Sequence, residues 1–278
     1  MENISEWNRN SDPHITKRKV IGFDLDDTLT LENGSWPSST ISGLENLSKA
    51  GWTILLVTGR PAGWADAFIR LFPLDAIVAE NGAVIRYWKN KFQNRQDHET
   101  PESLYWTPEG YVKEFLDFGH REKMNSCKNK ILSEVENCRV ATDQHYRLYD
   151  LAIDFAEYVT PPLGMDAAHK IFDIFQEFKA TAKISSIHVN GWWGDFSKGS
   201  ALEFLSQQLL QFSIQEEFVY VGDSPNDGPL FKLAGSSIGV ANINSFVGKV
   251  DFSHPKFVTN QCAALGALEV IKKCQEIA

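Results

Sequence analysis

The sequence predicts an α/β protein whose parallel-sheet core is carried by both ends of the chain, with an α+β unit inserted between them. Three observations predict it. Near the amino end, short continuous apolar runs alternate with amphipathic stretches, the signature of strands buried on both faces and covered by helices. The same texture returns near the carboxyl end. Between the two, the chain changes to polar and hairpin-like segments that do not continue the alternation.

Residues 19–25 read as a short apolar strand. Residues 38–50 place Ile41, Leu44 and Leu47 at helical spacing, Gly51 breaks the pattern, and residues 53–57, TILLV, form the next strand. Pro61 suits the first turn of a helix running to residue 72, and DAIVAENGA supplies a third strand ending at Asn81 and Gly82. From residue 84 the segment IRYWKNKFQNR predicts a hairpin turning near Asn90, and QDHETPES carries no convincing element. Two helical patterns follow within residues 107–137; YRLYDLAIDFA alternates like a strand, MDAAHKIFDIFQEF is helical, and ATAKISSIHVN reads as one further strand. The first texture then resumes, with a helix over 198–210, the strand EFVYVGD, the helix GPLFKLA, the strand SSIGVAN and a last helix over 261–276. This divides the chain into a disordered tail at 1–17, a core at 18–83 and 191–278, and an inserted unit at 84–190.

Length and composition agree with that division. At about 150 residues per domain, 278 residues suggest two. Hydrophobic residues at 43% and charged residues at 23% fit a globular chain, and a net charge of -9 argues against a duplex nucleic-acid binder, which needs a basic face. The first seventeen residues hold no apolar run long enough for a signal peptide, and no run reaches the roughly 18 residues of a membrane span. Cys127, Cys138, Cys262 and Cys274 lack metal-type spacing, as expected of reduced thiols in a cytoplasmic protein.

The chemistry sits at element boundaries. In VIGFDLDDTLT a strand runs into Asp24, Asp26 and Asp27, and ligands in open α/β sheets bind beyond the carboxyl ends of the strands. Residues two apart on extended backbone share a side, so Asp24 and Asp26 aim together while Asp27 turns away. Taken alone, DLDDT could also be acids capping a turn. A second acidic loop, EFVYVGDSPNDG, brings Asp223, Asn226 and Asp227 after Gly222, again behind an apolar strand. Unit charges about 4 Å apart repel by roughly 4 kcal/mol at an effective dielectric near 20, so such a cluster calls for a cation, and Mg²⁺ is the natural one. Between these loops, VTGR offers the Thr58 hydroxyl, a close backbone approach at Gly59 and a helix amino end that favours anions, while FSKGSAL places Lys198 at a helix start.

The ordered set DLDDT, VTGR, SKGSAL and GDSPND resembles the four motifs of the haloacid dehalogenase-like (HAD) hydrolase superfamily. The position of the insertion, together with AENGA at 79–83, is similar to the Cof-type branch with C2 caps, which includes sugar phosphatases, sucrose-phosphate phosphatase and mannosyl-phosphoglycerate phosphatase. The resemblance implies a Rossmann-like core, a C2-type cap and Mg²⁺-dependent hydrolysis of a phosphomonoester. It implies Asp24 as nucleophile, forming an aspartyl-phosphate, and Asp26 as general acid and then base. Mg²⁺ would be held by the Asp24 carboxylate, the Asp26 carbonyl and Asp223, with Asp227 a ligand or an orienter; Thr58, Gly59 and Lys198 would hold phosphoryl oxygens. Asp27 departs from the glycine common at that place, and its expected work is to satisfy amides of the turn. A phosphorylated sugar is the expected substrate. A sugar phosphomutase similar to eukaryotic phosphomannomutases, or a relative that binds a metabolite without turnover, stays open.

For the leaving group, His188 and Asn190 share a face and could meet sugar hydroxyls or a second anion, or could simply hold a hairpin. Arg60 could reach a phosphate or carboxylate, or equally form a surface salt bridge; Asn81 is expected to shape the floor of the cleft, and Asn226 to meet substrate. Trp192 and Trp193 at the junction suit packing better than a stacking wall. Tyr87, Trp88, Tyr105 and Trp106 suit either carbohydrate recognition or a hydrophobic core.

Overall fold

The computed structural model describes residues 1–7, 19–116, 120–185 and 187–276. In chain order the first part supplies β1 (Glu2–Asn3), β2 (Val20–Phe23), α1 (Ser38–Lys49), β3 (Thr53–Val57), α2 (Ala62–Leu71), β4 (Ala76–Ala79), β5 (Val84–Tyr87), β6 (Glu102–Thr107) and β7 (Gly110–Val112). The middle supplies α3 (His120–Glu134), β8 (Arg139–Val140), β9 (Asp150–Asp154), α4 (Gly164–Glu177), β10 (Thr181–Ile184) and β11 (His188–Trp192). The return supplies α5 (Lys198–Phe204), α6 (Ile214–Glu217), β12 (Phe218–Gly222), α7 (Gly228–Leu233), β13 (Ser236–Gly239), β14 (Phe257–Val258) and α8 (Ala263–Glu276).

Among the described residues the larger sheet has the order β1-β14-β13-β12-β2-β3-β4-β5-β6-β7. It is parallel from β1 through β4 and antiparallel from β4 to β7. The continuous apolar strands have the reason the sequence suggested, since alternate residues enter two different cores. Ile21, Phe23, Ile54, Leu56, Val219 and Val221 pack with Leu44 and Leu47 of α1 and Val270 and Ile271 of α8. Val20, Leu55, Val57, Phe218 and Tyr220 pack on the opposite face with Ala201 and Leu202 of α5 and Leu230 and Phe231 of α7. Gly22 interrupts this run because a Cβ there would stand 2.6 Å from the Phe218 ring.

Four expectations are corrected. The tail expected at 1–17 is ordered over its first seven residues. There β1 pairs with β14, Lys273 donates to the Ile4 and Ser5 carbonyls, and Trp7 is fully buried with its indole nitrogen 3.3 Å from Ser236 Oγ. Residues 8–17 lie outside the described residues. Trp7→Ala is therefore expected to cost about 3–5 kcal/mol, read as a lowered urea midpoint with little change in slope. Second, the expected boundary at 84 does not follow the hydrogen bonding. The hairpin pairs β5 with the later strand β6, and β5, β6 and β7 extend the larger sheet. Third, the two helical patterns within 107–137 resolve into β7 and the single helix α3, with residues 117–119 outside the described residues. Fourth, ATAKISSIHVN is two antiparallel strands, β10 and β11, and α5 gives way to wider π-type turns over Leu205–Leu210.

Among the described residues the smaller sheet, β10-β11-β9-β8, shares no strand pairing with the larger one and is antiparallel throughout. Leu151, Ile153, Ala182 and Val189 put one face onto Ile131 of α3 and Ile171 and Phe175 of α4. Gly191 fits there because a Cβ would stand 2.1 Å from the Phe175 ring. The alternate residues Asp150, Asp154, Lys183, His188 and Asn190 are left for the other face, which roofs a cleft at the carboxyl ends of β2, β3 and β12. No helix of the described residues is long and apolar enough to cross a membrane.

Candidate active site

The backbone of Asp24 continues the pairing of β2, its N–H donating to the Val221 carbonyl at 2.9 Å, so its side chain leaves the sheet at a fixed point. The chain then turns sharply, with the Thr28, Leu29 and Thr30 amides converging on the Leu25 carbonyl. Asp27 takes φ +52° in that turn, the region glycine enters most easily, which accounts physically for the glycine expected in its place. Its amide donates to Thr30 Oγ1 and its carbonyl accepts from Asn242. Asp24 and Asp26 line the cleft, whereas Asp27 lines a neighbouring groove.

Beyond β3, Thr58 is buried, and its hydroxyl oxygen accepts from the Arg60 amide at 3.0 Å. Gly59 lines the cleft beside Asn81, whose side-chain amide would stand 3.2 Å from a Cβ at position 59. The helix end that follows is not an open anion site. Pro61 precedes α2 as its cap, and the first helical amide, Ala62, donates to Glu80 Oε1 at 2.9 Å. Fully buried Glu80 also accepts from the amides of Leu148, Tyr149 and Asp150, so one carboxylate ties the amino end of α2 to the start of β9. Burial, with Asp150 close by, pushes Glu80 up to about 7. Asn81 and Gly82 follow at φ +55° and +118°, and Gly82 is required because a Cβ would meet the Ser197 carbonyl at 2.2 Å.

That contact sets the start of α5. Ser197 and Ser200 form a capping box, and Lys198 extends inward, nearly buried, to donate to Asp24 Oδ1 at 2.8 Å and Asp227 Oδ1 at 3.0 Å. Asp227 is saturated: Oδ1 also accepts from Tyr220 at 2.7 Å, and Oδ2 accepts from the Asp223 and Ser224 amides. Gly222 is needed behind it, since a Cβ would stand 2.5 Å from Asp227 Oδ2. Carboxylate oxygens of Asp24, Asp223 and Asp227 lie within 4.8 Å of one another. Burial, augmented by Asp227, pushes Asp24 up to about 7 against the pull of Lys198, and burial with Asp227 raises Asp223 well above the usual range. Burial alone would lower Lys198, but Asp227 and Asp24 outweigh it and hold the ammonium charged. Three buried carboxylates therefore share a single ammonium.

Arg60 makes an ion pair with Asp26, but a buried and multiple one in place of the surface salt bridge that was one expectation for it. Nε stands 2.9 and 3.1 Å from the two Asp26 oxygens, one terminal nitrogen stands 2.9 Å from Asp26 Oδ1 and 3.3 Å from Glu157, and the other stands 3.4 Å from Asp143. Asp143 and Asp150 also hold Arg147, which donates to the Gly59 carbonyl at 2.9 Å; His188 Nε2 lies 2.9 Å from Glu157, and Asn190 donates to Asp150 at 2.9 Å. The cleft encloses about 590 Å³ of space open to solvent. Asp24, Asp26, Gly59, Arg60, Asn81, His188, Asn190, Lys198, Asp223 and Asn226 of the expected residues line it. Thr58 and Asp227 stand behind this lining. His188 and Asn190 thus both face the cleft and hold the roof. Trp192 and Trp193 are packing residues, in separate cores, and Tyr87, Trp88, Tyr105 and Trp106 do not line the cleft. Sequence reasoning missed Glu80, Asp143, Arg147, Asp150, Glu157, Lys183 and Tyr220. Tyr220 was detectable as a phenol inside an apolar strand, and Asp150 as the polar phase of an alternating strand.

A parallel α/β sheet with two acidic strand ends, a lysine between them and a roofed cleft defines a class, and sequence comparison identifies it. The chain belongs to the haloacid dehalogenase-like hydrolase family, matching its sequence profile over residues 21–250. It is 28% identical over 229 residues to a phosphoglycolate phosphatase of Archaeoglobus fulgidus, covering 81% of this chain and 85% of that one. Its fold is similar to the C-terminal domain of C. albicans trehalose-6-phosphate phosphatase, with a TM-score of 0.67 at 13% identity and 98% of each chain covered. It is similar also to the sucrose-phosphatase of Synechocystis sp. PCC6803, with a TM-score of 0.61 at 17% identity, covering 93% of this chain and 98% of that one. The family implied by the four motifs is the family found, and the chain is an enzyme of hydrolase class.

Proposed function

We propose that the cleft hydrolyses a small phosphomonoester through an aspartyl-phosphate on Asp24, with the smaller sheet acting as the cap that meets the leaving group. One observation carries this reading: Lys198 bridges Asp24 and Asp227 in the cleft that Asp26 and Gly59 also line. Asp24 is the nucleophile, set at the end of β2. Asp26 gives a proton to the departing alkoxide and takes one from the water that follows, and Arg60 fixes the direction of its carboxylate. Gly59 and Lys198 receive the phosphoryl oxygens, and Thr58 shapes the turn that presents Gly59.

The donor set fits a hard divalent cation, because clustered carboxylate oxygens with more negative charge than Lys198 balances are what Mg²⁺ takes. Asp24, Asp223 and the Asp26 carbonyl would hold it. Asp227, whose two oxygens already accept four hydrogen bonds, is better suited to orient Lys198 and the Asp223 loop than to be a ligand. When bound, Mg²⁺ offsets the buried charge and lets Asp24 approach an anionic phosphoryl group.

The substrate is a small phosphorylated metabolite. A sugar is supported by the polar groups of His188 and Asn190 in the roof, and a carboxylate-bearing ester by the similarity to enzymes named phosphoglycolate phosphatases. Phosphate release is expected with Mg²⁺, absent in excess EDTA and restored by added Mg²⁺. Full activity in chelator would reject the metal assignment. Interconversion of hexose 1- and 6-phosphates without phosphate release would replace hydrolysis by the phosphomutase reading.

A further inference from the structure

The roof of the cleft contains a cation that the site as described does not use. Lys183 lies on β10 opposite Asn190 of β11, and residues directly opposite in an antiparallel pair share a face. Its neighbours Ala182 and Ile184 pack toward α4, which leaves Lys183 on the face shared by His188 and Asn190, and it lines the cleft with Asp24, Asp26 and Lys198.

Charge pairing separates it from the other cations there. Lys198 is held by Asp24 and Asp227, Arg60 by Asp26, Asp143 and Glu157, and Arg147 by Asp143 and Asp150. Lys183 makes no ion pair with any described residue. Past it the cleft meets a small recess, whose roughly 290 Å³ includes open solvent, lined also by Asn81, Ser197, Lys198, Asn226 and Trp192. Lys183 is thus an exposed ammonium with no ion pair among the described residues, and it lines both the cleft and this recess together with the lysine that meets the phosphoryl group.

Resting on the hydrolase reading above, we infer that Lys183 is a specificity residue that binds a carboxylate on the leaving group, so that the preferred substrate is the phosphate ester of a small hydroxy acid. Lys183 and Lys198 both line the cleft and the recess, the placement that a substrate carrying a phosphoryl group and a carboxylate requires. Arg60, Arg147 and Lys198 are already ion-paired, so Lys183, exposed and hydrated, is the cation of the lining that a carboxylate on the leaving group can pair.

The test compares phosphoglycolate with 2-hydroxyethyl phosphate, its uncharged counterpart, in the wild type, Lys183→Met and Lys183→Arg. The wild type is expected to prefer phosphoglycolate in kcat/KM. Lys183→Met is expected to lose about tenfold to a hundredfold on phosphoglycolate, chiefly in KM, with the neutral ester within about twofold and Lys183→Arg retaining most of the preference. An unchanged phosphoglycolate KM in Lys183→Met, an equal loss on both esters, or a wild type that turns over the neutral ester and rejects phosphoglycolate overturns the assignment and leaves the hydrolase reading standing. Release of phosphate from neither ester, nor from any other phosphomonoester, overturns both.

Discussion

Asp24→Asn is expected to abolish phosphate release, by about four orders of magnitude or more, while the protein stays folded. The loss follows from removing the one group placed to attack phosphorus, since the amide is neither nucleophilic nor a ligand of charge. The fold should tolerate it. Asp24 is held at the end of β2 by its own backbone amide, and burial already works against its charge, so an isosteric neutral side chain relieves repulsion from Asp223 and Asp227 while Lys198 keeps Asp227. Turnover assays beside a urea titration check both halves. Activity within tenfold of wild type refutes the nucleophile, and a collapsed urea midpoint shows that Asp24 is structural instead.

Lys198→Met is expected to damage stability and catalysis together. Its ammonium stands 2.8 and 3.0 Å from two carboxylates that are themselves nearly or fully buried, and removing one member of such a cluster leaves uncompensated charge worth about 3–5 kcal/mol. The loss should be largest in EDTA and partly recovered with Mg²⁺, which takes over part of the neutralisation. Lys198→Met with Asp227→Asn should be more stable than Lys198→Met alone, since the second change removes one of the stranded charges. Phosphate release should fall by about a hundredfold or more, the usual loss when a preorganised donor to the reacting group is deleted. A single variant with wild-type stability in EDTA would mean that Asp24 and Asp227 do not depend on this cation.

What could be read in advance depended on how locally each feature is encoded. Asp24, Asp26, Asp223 and Lys198 each follow a recognisable strand or open a helix, so local pattern was enough to place them at one edge of a sheet. Arg60 was visible as a residue, but its work was not. Asp143 and Glu157, which hold it, lie 83 and 97 positions further on, and no local pattern connects them. Glu80 shows the same limit, because a carboxylate beside a predicted turn gives no hint that it accepts amides from positions 148–150. The helix amino end after Thr58 has the composition of an anion site, yet Glu80 already occupies its first amide. At the chain start, polar composition suggested disorder, while Trp7 and the two-residue strand before it are ordered by partners near positions 236 and 257. Lys183 escaped notice because β10 and β11 read as one strand; once the hairpin register is known, its place opposite Asn190 follows directly.

The most direct measurement is the location of the phosphoryl group during turnover. With an aryl ester such as p-nitrophenyl phosphate, whose leaving group departs without a proton, Asp26→Asn should complete attack by Asp24 and stall afterwards, because it lacks the base that activates water. After incubation with this ester and Mg²⁺, acid quenching and peptide mass spectrometry should find the phosphoryl group on the peptide bearing Asp24, and not in Asp24→Asn. A phosphoryl group on a different residue, or none while Asp26→Asn still releases phosphate through an observable pre-steady-state burst, would contradict catalysis by an Asp24 phosphoenzyme.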